Sequence, residues 1–208
     1  MRLAILGASG HGKVVADIAL LLGYTDVVFF DDAWPSRSSS GRWSVIGTTE
    51  TLLGTIVDFD AVIVGIGDNR IRFEKDAVLK AANAPLVTLI HPTAVVSNFA
   101  QIGIGSVICA GAIVSVDATL GAGIIVNTDA TVDHDCQLAD GVHIAPGVHL
   151  SGGVHVGARS WIGVGACVKQ GVNIGSDVMV GAGAVVVSNI LDGLTLVGNP
   201  ARPIIESE

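Results

Sequence analysis

From Ile90 onward the apolar positions recur every six residues. Each sixth position from Ile90 to Val186 is a branched aliphatic, seventeen of seventeen. Four places after each comes a small or apolar residue, from Ala94 and Ala100 through Cys136 to Ala184, and glycine recurs one or three places after, as at Gly103, Gly105, Gly121 and Gly123. One inward aliphatic, one inward small residue and a corner that glycine permits describe a short flat strand followed by a sharp turn. Three such strands close one triangular coil of eighteen residues. The tract therefore predicts between five and six coils, each pairing with its neighbours around a continuous core, as in a solenoid.

Before Ile90 the pattern is different. Arg2 to Leu6 reads as a buried strand, Gly7-Ala8-Ser9-Gly10-His11-Gly12 as a turn, and Lys13 to Leu22 as a helix with Val14, Val15, Ile18, Leu21 and Leu22 at helical spacing. Val27 to Phe30 predicts a second strand ending at Asp31-Asp32, and Ala61 to Val64 a third ending at Gly65-Ile66-Gly67-Asp68-Asn69. A helix from about Arg70 to Ala82 and a short strand around Leu86 to Leu89 follow. This order makes a small parallel α/β sheet, whose ligands bind beyond the carboxyl ends of the strands, at the three polar clusters just named. The serine- and arginine-rich stretch Trp34 to Trp43 reads as a surface loop. Two domains are expected, residues 1–89 and 90–208, with His91 before Pro92 a structural residue at their junction.

Composition narrows the partners. Half the chain is apolar, aromatics are only 4% and there are 27 glycines, so the core is aliphatic and the backbone tightly turned. A net charge of −8 gives no basic footprint for nucleic acid. Cys109, Cys136 and Cys167 are odd in number and spaced like neither a disulfide framework nor a zinc site, which points to a reducing, cytoplasmic setting. The N-terminus reaches its glycine turn too soon for a signal peptide. His91 to Val116 carries no formal charge, yet six Gly, Ser and Asn positions between Ser97 and Gly111 interrupt it, so no membrane insertion is expected. Between Ile90 and Leu191 only eight residues are charged, too few for a solenoid wetted on three faces, and at least one face should be buried in a partner.

The chemistry follows from the coil. Residues eighteen apart stack about 4.8 Å apart on adjacent strands, so His134 falls beside Gly152, and Asp135 beside Gly153 and Asp117. His134 lies two places from inward Val132 and two from inward Cys136, which puts its ring outside the core. An exposed imidazole next to a carboxylate is a candidate general base, with Asp135 orienting the ring and favouring its protonated form. His143, His149 and His155 also recur every six residues, but on three different faces, so no metal is expected. No cysteine falls in register with a base and no Gly-x-Ser-x-Gly elbow is present, which argues against a covalent nucleophile. The glycines of the first turn run Gly-x-x-Gly-x-Gly, not the dinucleotide order.

With these hexads, with Gly7-Ala8-Ser9-Gly10-His11-Gly12, Val132-Asp133-His134-Asp135-Cys136 and the closing Gly198-Asn199-Pro200-Ala201, the whole chain resembles the hexapeptide-repeat sugar acetyltransferases. Within that family it is similar to the nucleotide-linked amino-sugar N-acetyltransferases of the bacillosamine pathway and to the sialic acid O-acetyltransferases. The resemblance implies an α/β Rossmann-like N-terminal domain followed by a left-handed parallel β-helix. It implies His134 as catalytic base with Asp135 as its partner, although some relatives carry Glu at the latter place. Acetyl-CoA contacts are implied at His143, Gly152, Val164 and Ala182, with the Gly152 N–H facing the thioester oxygen. Nucleotide-sugar contacts are implied at Ser9, Gly10 and His11, at Asp31 and Asp32, and at Gly67 and Asn69. A homotrimer is implied, with acetyl-CoA in the groove between neighbours, Trp161 and Leu194 to Pro203 lining it. The expected reaction is direct acetyl transfer to the 4-amino group of a UDP-linked 4-amino-4,6-dideoxy sugar; the alternatives are N-acetylation of GDP-perosamine, O-acetylation of sialic acid, or a β-helix serving as scaffold or sugar-nucleotide sensor.

Overall fold

The structure, a computed structural model, describes residues 1–204. It contains two compact units, one from Met1 to Pro92 and one from Thr93 onward.

In the first unit β1 (Arg2–Leu6), α1 (Gly10–Leu21), β2 (Asp26–Phe30), β3 (Ser39–Ser40), β4 (Trp43–Gly47), α2 (Thr49–Gly54), β5 (Ala61–Val64) and α3 (Asn69–Ala81) follow in that order. The sheet runs β3-β4-β2-β1-β5, parallel except for β3 against β4. β1 is flanked on both edges and buried on both faces, which is why it reads as an unbroken apolar run. One face packs Ala4, Leu6, Phe30, Leu52, Phe59, Val62, Val64 and Leu79 into a core, with the Phe30 and Phe59 rings edge to face at 5.7 Å.

Three local expectations are corrected. The expected turn Gly7–Gly12 is half helix: α1 begins at Gly10 because Ser9 is extended (φ −92°, ψ −168°) and serves as its N-cap. The expected loop Trp34 to Trp43 contains β3 and leads into β4, whose alternating burial is too short and serine-rich to register as a periodic run. The strand expected at Leu86 to Leu89 is a single bridge between Leu86 and Val62, and only Leu89–Ile90 forms a strand.

The second unit is the β-helix. Two-residue strands pair in parallel register at an offset of eighteen on three faces, which we name by their histidines: the His143 face (Ile125↔His143↔Trp161↔Met179), the His149 face (Thr131↔His149↔Cys167↔Val185) and the His155 face (Thr119↔Gln137↔His155↔Asn173). The second residue of each strand is the sixth-position aliphatic, and from Ile108 to Val186 every one of these is buried. The small positions are buried too, and where they are serines the hydroxyl is used. Ser160 Oγ donates to Gly175 O at 2.7 Å and accepts the Val178 N–H at 3.0 Å, so no buried hydroxyl is left without a partner there.

The corners obey one rule. At every sixth position from 105 to 183 the backbone is left-handed, with φ between 54° and 80°. Nine of these residues are glycine; the others are Asp117, Asp129, Asp135, Arg159 and Asp177. Aspartate is among the few residues that tolerate this region, so most of the sparse charge of the tract is placed by backbone conformation. Asp117 tests the rule. Asp117→Ala is expected to lower stability by about 1 kcal/mol, whereas Asp117→Gly stays within roughly 0.5 kcal/mol of the parent, measured as shifts in the denaturant midpoint at constant slope.

Candidate functional site

His134 stands at the corner between the His149 and His155 faces. Its neighbours on the coils before and after are Val116 and Gly152, held by the Asp135 N–H to Val116 O (3.3 Å) and the Gly153 N–H to His134 O (2.9 Å). The His134 side chain is 56% exposed, and its Nδ1 lies 2.7 Å from Asp135 Oδ2. A carboxylate only accepts, so Nδ1 carries the proton and Nε2 is the free base. The His134 backbone N–H donates to Asp133 Oδ1 at 2.8 Å. The hydrogen bond with Asp135, and then the charge of Asp133, raise the imidazole pKa above the ordinary histidine value. The ring lies over Gly152 so closely that a Cβ there would sit 2.5 Å from both Cε1 and Nε2. Glycine at 152 thus leaves the space the ring occupies; any side chain there would have to push the ring aside.

His143, Val164 and Ala182 are elsewhere in the same chain. His143 is buried (3% exposed) on its own face, with Nε2 3.1 Å from Asn127 Nδ2 and its ring 4.0 Å from that of Trp161. Val164 and Ala182 stack on adjacent coils, linked by the Gly183 N–H to Val164 O (2.8 Å), at the corner between the His143 and His149 faces. That corner and the His134 corner are opposite edges of the His149 face, so one chain does not bring the two sets together. Thr195–Val197 and Arg202–Pro203 extend the His143 face, with Thr195 paired to Met179.

One expectation about the cysteines is corrected. Cys167 is in register beside His149 on the same outward face. However, His149 Nδ1 is 2.9 Å from Thr131 Oγ1 and no hydrogen bond among the described residues joins the ring to the thiol, which is the contact a base needs to activate sulfur. All three cysteines are free thiols. Among the described residues no group of three or more His, Cys, Asp or Glu is arranged to hold a metal ion, and no helix is long and apolar enough to cross a membrane.

In the first unit a cavity of about 220 Å³ opens at the carboxyl ends of β1, β2 and β5, lined by Gly7, Ser9, Asp31, Asp32, Ile66 and Lys75 among others. The glycines of the first loop divide by role. A Cβ at Gly12 would sit 2.2 Å from Gly7 O, and one at Gly7 would meet Ile66 Cγ1 at 2.4 Å, so both serve packing; around Gly10 there is open space. Ser9 caps α1 through its extended backbone, with no side-chain hydrogen bond to the helix. Asp31 is committed: it accepts the N–H groups of Ala8 (2.8 Å) and Ala33 (3.0 Å) and pairs with Arg37 (3.0 Å). Burial alone would raise its pKa, but these contacts hold the carboxyl below its usual range.

His11 is half-buried, with its ring near the Arg72 guanidinium. Burial, and then the Arg72 charge, lower its pKa to about 4, so it is neutral near pH 7. Arg72, which the sequence reading passed over, is 1% exposed and donates to Ile66 O (3.1 Å), Gly67 O (2.9 Å) and Asn69 Oδ1 (2.9 Å). Gly67 and Asn69 are thus anchored by this arginine, and Asn69 is itself only 7% exposed. Nothing in the periodicity marks Arg72 as buried, since it follows Arg70 on a polar-looking helix.

Residues 2–75 match the family model described as the PglD N-terminal domain. The UDP-N-acetylbacillosamine N-acetyltransferase of Bacillus subtilis (strain 168) is 37% identical over 112 residues, 52% of this chain and 51% of that protein, so the chain aligns with about half the length of this curated relative. Among solved structures, the acetyltransferase domain of PglB from Neisseria gonorrhoeae FA1090 in complex with acetyl coenzyme A is 48% identical, with 98% of each chain covered and a TM-score of 0.93. A perosamine N-acetyltransferase from Caulobacter crescentus, with asparagine replacing one histidine and with CoA and GDP-perosamine bound, is 38% identical, covering 99% of this chain and 98% of that one, with a TM-score of 0.94.

The pairing at the corner has a direct readout. In a histidine NMR titration His134 is expected to lose its proton above the ordinary histidine midpoint, and Asp135→Asn to return the midpoint toward that value. Asparagine tolerates the left-handed corner, so this substitution removes the charge without breaking the turn. An unchanged midpoint would separate the carboxylate from the ring.

Proposed function

We propose, because the chain belongs to the hexapeptide-repeat sugar acetyltransferase family, that it transfers the acetyl group of acetyl-CoA to the 4-amino group of a UDP-linked 4-amino-4,6-dideoxy sugar. The observation that carries this reading is the His134–Asp135 pair with Nε2 free above Gly152. In the proposed reaction Nε2 takes a proton from the amine as it attacks the thioester carbonyl, and the Gly152 N–H stabilises the developing oxyanion. The carbon–sulfur bond then breaks and coenzyme A leaves as the thiolate, which recovers the proton. No covalent enzyme intermediate is required, and holding the two substrates together supplies much of the rate. Asp135 keeps the proton on Nδ1 and steadies the imidazolium that forms.

The active site is read as shared between copies. His143, Val164 and Ala182 as acetyl-CoA contacts need a neighbouring chain to meet His134, which supports the homotrimer; light scattering should give three times the 21.1 kDa chain mass. Ser9 and Gly10 at the start of α1 suit the diphosphate of the acceptor nucleotide sugar, with Asp32 on its nucleoside. His11, Asp31, Gly67 and Asn69 are read as the frame that shapes this pocket. The setting proposed is cytoplasmic. A second reading, a GDP-linked amino sugar, is favoured by the full-length likeness to the perosamine enzyme.

The test is acetyl-CoA-dependent thiol release with UDP-4-amino-4,6-dideoxy-N-acetylglucosamine, run beside GDP-perosamine and sialic acid. Turnover with one amino sugar is expected, falling by roughly 10²–10⁴ in His134→Ala while acetyl-CoA still binds. Release with none of the three, or an unaffected alanine variant, would overturn the assignment. The rate should rise with pH through the raised His134 pKa, because the neutral ring is the base.

Gly152→Ala gives an independent check. The added methyl must displace the His134 ring, so kcat should fall by at least about 10² with the far-UV spectrum and thermal midpoint little changed. An active Gly152→Ala enzyme would remove the ring-over-glycine geometry from the mechanism.

A further inference from the structure

Lys75 was not among the residues singled out by the sequence, yet it lines the cavity of the first unit. It reaches across from α3 to Asp32 at the end of β2, with Nζ 2.7 Å from Asp32 Oδ2 and 2.9 Å from Thr49 Oγ1. Asp32 Oδ1 in turn accepts the Thr49 N–H at 2.8 Å. An ammonium has three N–H donors. Two are taken by these acceptors, so a single donor remains and its nitrogen is fixed beside a carboxylate oxygen that keeps further acceptor capacity.

The charge count limits what this cavity can take. Its charged lining is Asp31, Asp32 and Lys75, and Asp31 is already paired with Arg37. Lys75 is neutralised by Asp32, leaving no surplus positive charge for a diphosphate, which favours cationic clamps or uncommitted N–H groups. What the Asp32–Lys75 pair does offer is a donor and an acceptor 2.7 Å apart. That pattern complements a neutral nucleobase edge on which a carbonyl adjoins an N–H, as in uracil or guanine. Leu6, Ile66 and Ile71 supply apolar surface in the same cavity for the flat ring.

We infer that Lys75, clamped by Asp32 and Thr49, is a specificity residue of the nucleotide site that donates to a nucleobase carbonyl while Asp32 accepts the adjoining ring N–H. This rests on reading the first unit as the nucleotide-sugar site. The diphosphate then lies away from Lys75.

The experiment measures binding, not turnover. The intact protein is titrated by calorimetry or NMR with UDP and GDP, with uridine and guanosine, and with inorganic pyrophosphate. Lys75→Met keeps the aliphatic stem and should weaken the preferred nucleoside diphosphate and its nucleoside by the same factor, about tenfold, with pyrophosphate unaffected. Thr49→Val, which removes one tether and keeps the ion pair, should act in the same direction by about two- to threefold and serves if Lys75→Met fails to fold. Loss of diphosphate binding with nucleoside binding intact would place Lys75 on the phosphates and overturn the inference. Unchanged binding in both variants would also overturn it, leaving the nucleotide-sugar reading in place. If the unmodified protein binds neither UDP nor GDP, the nucleotide-sugar reading fails and the inference with it.

Discussion

The constraint on which the β-helix depends is the left-handed corner. Parallel pairing at an offset of eighteen demands that the chain turn sharply three times per coil, and it does so by placing every sixth residue from 105 to 183 at positive φ. An L-residue pays roughly 1–2 kcal/mol for that conformation, so the sequence answers with glycine or aspartate at all but one of these positions. Once the corners are set, the aliphatic at each sixth position and the small residue four places later point inward without further instruction. The exception, Arg159, is balanced by its bidentate pairing with the corner Asp177 on the next coil, at 2.8 and 2.6 Å.

This also explains how much of the molecule could be read from the sequence. A strict six-residue repeat is a one-dimensional code, because each coil contacts only its neighbours, and register, strand positions and face assignments all follow from counting. The first unit is not periodic in that way. β3 and β4 are held by contacts distant in sequence, such as the Ser40 hydroxyl on Ala8 O at 2.8 Å, and a serine-rich segment gives no local sign of them. The same holds for the site. The His134–Asp135 pair and its neighbour Gly152 are legible from spacing alone. Lys75 and Arg72 are not, because they act across helix-to-strand packing that no periodicity encodes, and the in-register Cys167 beside His149 escaped notice although the same eighteen-residue count reveals it.

The two units hold their candidate sites differently. In the first, every charged side chain at the strand ends is tied down: Asp31 by two backbone N–H groups and Arg37, Asp32 by Lys75 and Thr49, and the third loop by Arg72. Ion pairs of this kind shape a cavity by fixing where each donor and acceptor points, and contribute little net charge to it. In the second, His134 and Asp135 are both more than half exposed at a corner of the coil.

Asp135 shows how the structural rule and the chemistry meet in one residue. Its φ of 60° is close to the corner values of Asp117, Asp129 and Asp177. Aspartate is therefore present along the coils for backbone reasons, and the His-Asp pair arises where a histidine precedes such a corner and the next coil carries a glycine that lets the ring lie flat against it. A longer carboxylate such as glutamate is less suited to left-handed backbone than aspartate, so at this place the corner itself favours the shorter side chain. The 2.7 Å contact with Nδ1 is thus set by the same turn that builds the solenoid.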